Sequence, residues 1–263
     1  MAITAKDVQA LRQSTGVGMM DAKKALEANG GDMDASVQWL RVQGLAKAAQ
    51  RADREAGEGA VAVVRNGNVA AIVEMRCETD FVAKSEEFVS LVDEIAARVC
   101  AEGEGATSQF QEHIEKMLTT LKENISIGRV YRLEAGPDEV VDTYIHQQAG
   151  RGVNAVAVVL KNGSEEQAHE VAVHIAFAKP LYLSRADVPA AEVDAERKTV
   201  EEISRNEGKP EAALPKIIEG RLNGWFKERV LVEQSYVKDE KQTIEQFLGA
   251  ASIRAYAQVV VGG

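Results

Sequence analysis

Apolar positions along this chain change period more than once, and the changes divide it. Through the first fifty residues they fall three and four apart, as on one face of a helix. Thr4-Ala5-Lys6-Asp7 has the Ser/Thr-x-x-acid form of a helix start, and Val8 and Leu11 then line one face. Gly16 and Gly18 break that helix. Ala22, Ala25 and Leu26 mark a second over residues 21–28, which Asn29-Gly30-Gly31 ends. A third begins near Asp34 and carries Val37, Leu40 and Leu45 around Trp39. Residues 4–50 therefore predict a small three-helix bundle. Residues 48–59, rich in charge and alanine, predict a linker or an extended helical arm.

Period two follows. Ala60-Val61-Ala62-Val63-Val64 leads to Asn66-Gly67, and a second β-rich run covers 69–75. Asn-Gly between two such runs signals a hairpin, because both turn residues must tolerate positive φ. An amphipathic helix over 85–101 comes next, with Phe88, Leu91, Val92, Ile95 and Val99 on one face. About 95 residues on, Ala155-Val156-Ala157-Val158-Val159 and Asn162-Gly163 echo the first run and its Asn-Gly, and a helix is predicted over 165–178. The echo predicts two related α+β halves. Between 190 and 232 the period is helical again. A thin stripe (Val193, Val200, Ile203) precedes the turn Gly208-Lys209-Pro210. A denser stripe (Leu214, Ile217, Ile218, Leu222, Trp225, Phe226, Val230) follows it. This predicts an antiparallel helical hairpin inserted in the second half. A last strand is predicted over 253–261.

Composition changes this picture little; charge changes it more. With 45% hydrophobic and 27% charged residues in 263, a sizeable core over one or two domains is expected. The amino terminus lacks the cationic flank and apolar run of a signal peptide, and no apolar stretch is long enough for a membrane helix. Cys77 and Cys100 form no Cys-x-x-Cys pair, so a reducing cytoplasm fits, with neither disulfide framework nor zinc cluster expected. The net charge of −10 argues against a nucleic-acid footprint. Residues 1–54 nonetheless carry eight Lys/Arg against six Asp/Glu, leaving the acid in the remainder. A slightly basic front on an acidic body suggests an acidic protein surface as its partner, or simply the variation of small domains.

Candidate chemistry is sparse. Phosphate-loop and nucleophile-elbow motifs are absent from the sequence. His169 and His174, five apart, fall on different helix faces and make poor joint metal ligands; with His113 and His146 they read as satisfied or exposed residues. Glu86-Glu87 and Glu165-Glu166 sit where a helix start favours negative charge. Two segments stand out. In one, Met19-Met20 lies at a loop-to-helix junction beside Arg12, Lys23 and Lys24. Neighbours on a helix point about 100° apart, so at least one methionine faces out, where its adaptability suits a contact surface. The bland alternative is a small, loosely packed core. In the other, Thr79-Asp80-Phe81-Val82 forms a polar turn between the hairpin and the long helix. Phe81 there is either a hydrophobic staple onto that helix or an apolar wedge offered beside a carboxylate; Thr79 or Asp80 is the helix cap.

Together these segments resemble the two signatures of the elongation factor Ts family, a Leu-Arg…Thr-Gly…Met-Met-Asp-x-Lys-Lys-Ala-Leu stretch and Thr-Asp-Phe-Val-Ala-Lys. The resemblance spans the whole chain and includes His174-Ile175-Ala176, Lys179-Pro180, Gly208-Lys209-Pro210 and Glu219-Gly220-Arg221. It implies an α+β fold: a ubiquitin-associated-like bundle over 1–54, then a two-part core over 55–140 and 141–263, with the helical hairpin inserted at about 190–232. It implies guanine-nucleotide exchange on elongation factor Tu, without cofactor or metal and without enzyme chemistry. Asp80 and Phe81 would then enter the GTPase domain and disturb its Mg²⁺ and phosphate site, with Thr79 and Val82 shaping the turn. Arg12, Met19 and Met20 would grip another helix of that domain, and the region of His146 would touch the partner's third domain. The exposed face of the hairpin either pairs with a second copy, in a homodimer, or is simply solvated. Two departures are visible: Arg76 stands where the family commonly has Asn, and the sequence stops at Gly263, before the carboxy-terminal helix of longer relatives. Two other classes compete with this reading. A generic peptide-binding adaptor explains 4–50 but gives Thr79–Val82 no role, and a hydrolase using Asp80 and His146 lacks a nucleophile.

Overall fold

Thr4 starts the first helix through a reciprocal cap: Asp7 N donates to Thr4 Oγ1 at 3.3 Å and Thr4 N donates to Asp7 Oδ2 at 2.9 Å. In the computed structural model, which describes residues 3–263 except Gln50 and Ala52, α1 (Ala5–Thr15), α2 (Met19–Ala28) and α3 (Met33–Ala49) form the amino-terminal bundle. Gly16 ends α1 at φ +74°, a conformation that favours glycine. Val8, Leu11, Ala22, Ala25, Leu26 and Leu40 fill the bundle's small core, with Trp39 packed against it. Val37, expected on the apolar face, is instead exposed.

The expected arm is not one element. Its first residues, to Ala49, continue α3; Gln50 and Ala52 lie outside the described residues, and β1 begins at Glu58. The extended α3 crosses α6 (Gln111–Leu121) closely: a Cβ on Gly44 would stand 2.3 Å from Thr119 Cγ2. Arg41 pairs with Glu115 at 3.0 Å, and Arg51 Nη2 donates to Leu118 O at 3.3 Å. The bundle is thus seated on the core.

The core is mixed α+β in four layers. β1 (Glu58–Asn66), β2 (Val69–Cys77) and β3 (Ser126–Glu134) make one antiparallel sheet in that order, and β4 (Glu139–Gln148), β5 (Arg151–Lys161) and β8 (Ser252–Val260) make the second. The sheets pack face to face through Val61, Ala70, Ile72, Ala155, Ala157, Val159, Ala257 and Val259. The outer face of the first is covered by α5 (Glu86–Glu102) and α6, that of the second by α7 (Glu165–Ala178). Hence the middle strands β2 and β5, covered on both faces, read as near-continuous apolar runs rather than alternating ones.

The halves repeat as hairpin, helix, third strand. In that repeat β5 corresponds to β2, whereas the echo of Ala155–Val159 with Ala60–Val64 matched it to β1. Alternating Ala and Val is common to strands with a small-residue inner face, so the echo ran across the wrong pair. The Asn-Gly dipeptides differ as well. Asn66 pairs with Val69, so the hairpin turn is Gly67-Asn68, with positive φ at Gly67 but not Asn66. Glycine at the first central position is the type II′ arrangement. Asn162, at φ +54°, instead links β5 to α7, where Ser164 provides the cap.

Between α7 and β8 lies the expected helical hairpin, α8 (Ala190–Asn206) against α9 (Leu214–Arg229). Val200, Leu214, Ile218, Leu222 and Phe226 form its own core with Val188 and Val230. Ile203 is exposed. A ribbon, β6 (Ser235–Tyr236) with β7 (Asp239–Thr243), and the short α10 (Ile244–Leu248) then close over α7.

Candidate functional site

The segment after β2 turns sharply because its backbone donors are collected by one distant carboxylate. Glu123 Oε2 accepts from the N–H of Glu78 and of Thr79, both at 3.1 Å, and Glu123 Oε1 accepts from the Thr79 hydroxyl at 2.6 Å. Thr79 in turn caps the one-turn helix α4 (Asp80–Ala83), accepting from Val82 N at 3.4 Å. The cap role therefore belongs to Thr79, while Ser85 caps α5, its hydroxyl accepting from Phe88 N at 3.4 Å. The turn points Ala83 into the core and lays Val82 against it. Phe81, one helical step away, is 83% exposed. It does not staple onto α5.

Asp80, freed from capping, faces Lys84 one turn on, with Nζ 2.5 Å from Oδ2. That hydrogen bond holds the Asp80 carboxyl below the ordinary carboxylate range, against the opposing effect of desolvation. Asp80 and Lys84 line a hollow with Glu58, Gln148, Ala149 and Arg151, so the β4–β5 turn of the second half meets the Phe81 turn of the first. Gln148 borders a second hollow as well, which holds His146, Phe177 and Lys179. His146 is exposed near the end of β4, and Phe177 is 78% exposed at the end of α7. Arg12, Met19 and Met20 lie elsewhere, on the bundle at the α1–α2 corner, and all three are exposed. Both methionines face out, at 49% and 63% exposure, so neither fills the bundle core.

The strand that leads into the turn carries a buried ionic cluster. Glu74 is buried on β2, and burial by itself raises its carboxyl pKa. Hydrogen bonds from Arg129 (Nε at 2.9 Å, Nη2 at 2.7 Å, backbone N at 3.1 Å) and from Arg76 at 3.1 Å outweigh burial and bring it to about 2. Arg76, the departure noted in the sequence, thus adds a cation to a buried acid. Gly128 makes room: a Cβ there would stand 2.4 Å from Glu74 Oε2. Burial pushes the neighbouring Cys77 thiol up to about 12, which makes it an inert core group.

His174 is buried, its ring 3.0 Å from Gln234 Oε1 and accepting from Val237 N at 3.4 Å. Burial lowers its pKa, so it stays neutral as a satisfied core residue. His169 is exposed beside Asp142 at 2.9 Å. Among the described residues no group of three His, Cys, Asp or Glu is placed to hold a metal, and no helix is long and apolar enough to cross a membrane.

Glu123, Arg151 and Phe177 are parts of this surface that sequence reasoning passed over. Each is defined by a neighbour far along the chain. Lys84 was passed over too, although its i+4 spacing from Asp80 is a signal that could have found it.

Comparison with known proteins gives the family. Residues 78–262 match the family model described as Elongation factor TS. The protein named Elongation factor Ts from Clavibacter michiganensis subsp. michiganensis (strain NCPPB 382) is 42% identical over 273 residues, covering 98% of each chain. That of Leifsonia xyli subsp. xyli (strain CTCB07) is 42% identical over 275 residues, covering 99% of each. The one from Kineococcus radiotolerans is 40% identical over 264 residues, covering 96% of this chain and 95% of its own. The class these sequences and this fold define is that of translation elongation factors. Within it, the chain belongs to the elongation factor Ts family.

Proposed function

We propose that this chain is a guanine-nucleotide exchange factor for elongation factor Tu: it docks on the GDP-bound GTPase, disturbs its Mg²⁺ and phosphate site, and promotes GDP release. The observation that carries this reading is Phe81, an aromatic held 83% exposed on a turn whose backbone Glu123 fixes. An exposed aromatic on a fixed turn loses little entropy on docking and gains its full burial only in a complex. Asp80 stands beside it as the charged element, with Thr79 and Val82 setting the angle of presentation. In this reading the chain makes and breaks no bond of its own, needs no cofactor, and works in the cytoplasm away from membrane and nucleic acid.

Energetics call for more than one contact. Exchange requires preference for the nucleotide-free GTPase, and linkage makes the effect reciprocal. A 10⁴-fold effect needs about 5.5 kcal/mol of differential affinity. Burying one Phe supplies roughly 1.5–3 kcal/mol. Arg12, Met19 and Met20 on the bundle, within the unit 1–54, and the hollow of His146 in the unit 141–263 are the further grips we assign. The unit 55–140 carries the wedge itself.

The test is release of labelled GDP from elongation factor Tu with and without this protein. Acceleration at sub-stoichiometric amounts is the expected result; none at saturating protein overturns the reading. Removing 1–54 separates an exchange factor from a peptide-binding adaptor. The truncated chain should still contact the GTPase, more weakly, whereas an adaptor working through its bundle would lose all binding.

A further inference from the structure

The three residues that follow α6 hold three different parts of the molecule. Lys122 ends the helix in the left-handed conformation (φ +61°), which a lysine adopts only at a cost. The chain leaves the helix axis there, and successive side chains part. Lys122 Nζ turns to the bundle and stands 3.2 Å from Oδ2 of Asp21, the residue that directly follows Met19 and Met20 on α2. Glu123 turns to the other side and takes the backbone N–H groups of Glu78 and Thr79 and the Thr79 hydroxyl. Asn124 N donates to Glu78 Oε1 at 2.7 Å, and Asn124 Nδ2 donates at 2.9 Å to the carbonyl oxygen of Arg54, on the segment that leads from the bundle to β1. Arg54 Nη1 closes the circuit with Glu78 Oε2 at 3.4 Å. Just before this corner α6 meets the bundle closely: a Cβ on Gly16, between α1 and α2, would stand 3.1 Å from Thr120 Cγ2.

We infer that Lys122 is a positioning residue: with Glu123 and Asn124 it forms a corner that sets the spacing between the bundle's contact residues, Arg12, Met19 and Met20, and the Phe81 turn. This rests on the exchange-factor reading, in which one GTPase meets both grips. Two grips on a loose tether engage one after the other, and the freedom of the tether is lost when the second engages. A spacing fixed beforehand removes that cost. The covalent link between α3 and β1 does not by itself fix the spacing; the corner does, because consecutive residues bond to the bundle on one side and to the turn on the other. Lys122 and Asp21 are both partly exposed, so their pair has the modest strength of a surface ion pair, and its effect on binding is several-fold.

The experiment measures affinity for nucleotide-free elongation factor Tu by calorimetry, with the melting temperature of each free variant as a control. Lys122→Asp sets two carboxylates face to face, and aspartate tolerates the left-handed conformation. Asp21→Lys sets two ammonium groups face to face. Combining the two changes restores an opposite pair. The expected result is affinity weakened about fivefold by either change alone, the scale of one exposed ion pair, and largely recovered when they are combined, with melting temperatures nearly unchanged. Recovery separates a pair within this chain from a direct contact of either residue with the GTPase. In a chain that already carries Met19→Ala and Met20→Ala, Lys122→Asp should cost much less, because less of the bundle grip is left to position. Unchanged affinity in Lys122→Asp, no recovery in the combined variant, or an equal loss with and without the methionines overturns the inference. Phe81→Ala runs alongside. If neither it nor the methionine changes move affinity, the exchange-factor reading has failed; if they weaken binding and Lys122→Asp does not, only the role of Lys122 has.

Discussion

Phe81 and Phe88 are seven residues apart and have opposite environments: the first is 83% exposed on α4, the second is fully buried in the first turn of α5. Two turns of ordinary helix would put residues seven apart on one face. Lys84 and Ser85 prevent this by ending one helix and starting another. Phe81→Ala should therefore leave the melting temperature nearly unchanged, as surface substitutions do. GDP release from elongation factor Tu should slow about ten- to a hundredfold, the value of one aromatic's burial. Phe88→Ala should cost roughly 3–5 kcal/mol of stability. A Phe81→Ala protein that melts far earlier yet exchanges normally when cold and folded would show that the residue is structural.

Glu123 holds the turn from outside it. Glu123→Ala removes the acceptor for two backbone N–H groups and a hydroxyl. Leaving such donors without a partner costs about 1–3 kcal/mol where water cannot replace it. The expected outcome is a modest fall in melting temperature, faster amide hydrogen exchange at Thr79 and slower GDP release, with Phe81 itself untouched. Unaltered amide exchange at residues 78 and 79 would show that the turn holds without Glu123.

Acid should find the protein through Glu74. Its carboxyl is brought to about 2 in the folded state, below the ordinary carboxylate value. A depressed folded pKa gives stability that is fully present above the unfolded value and lost as pH falls toward 2. The loss attached to this group is on the order of 3 kcal/mol. Denaturant melts of wild type and Glu74→Gln between pH 6 and 2 should converge as pH drops, with the variant weaker at pH 6 because Arg129 loses its carboxylate. Parallel curves across that range would rule Glu74 out as the acid-sensitive group.

The helical hairpin is closed within one chain. Phe226 packs in its core, and the Trp225 ring meets Phe226 edge-on at 5.1 Å with Arg229 over its other side at 4.7 Å from the ring centre. Self-association is therefore not needed to cover its apolar stripe. Replacing residues 190–227 with a short linker keeps Arg229 and Leu231, which bond back to Leu181 and Tyr182. Sedimentation should give the same association state for this variant as for the full chain. Loss of a dimer present in the full chain would assign dimerisation to the hairpin.

Elements that bury one continuous face were legible in the sequence. The stripe Phe88–Val99 predicted α5 to within a residue, and the two stripes of 190–232 gave α8 and α9. Residues 103–148 were not resolved into elements. β3 is a half-buried strand with Arg129, Arg132 and Glu134 along it, and its identity as a strand comes from pairing with β2 rather than from any alternation of its own. The site shows the same division. Phe81 was visible because an aromatic in a polar turn is out of place. That it stands clear of α5 goes with a turn held by Glu123, 42 positions further along the chain and hydrogen-bonded to Thr79, which no local pattern reports.

The face-to-face seam between the two sheets has a consequence for how the protein is made. Its lining comes from Val61, Ala70 and Ile72 on one side, and on the other from β5 and from Ala257 and Val259 of β8. At Gly152 the approach leaves no room for a side chain: a Cβ there would stand 2.1 Å from the Val61 carbonyl oxygen. A chain emerging from the ribosome in order can pair β1 with β2 early, but the inner face of that hairpin begins to be covered only when β5 follows and is not fully covered until residue 259 has been added. At a synthesis rate of about 5–20 residues per second full cover is delayed by roughly ten to forty seconds, during which the nascent first half shows an incompletely covered apolar sheet. Within that interval the growing chain is a client for holding chaperones, and a ribosome stalled between β5 and β8 would leave a product prone to aggregate.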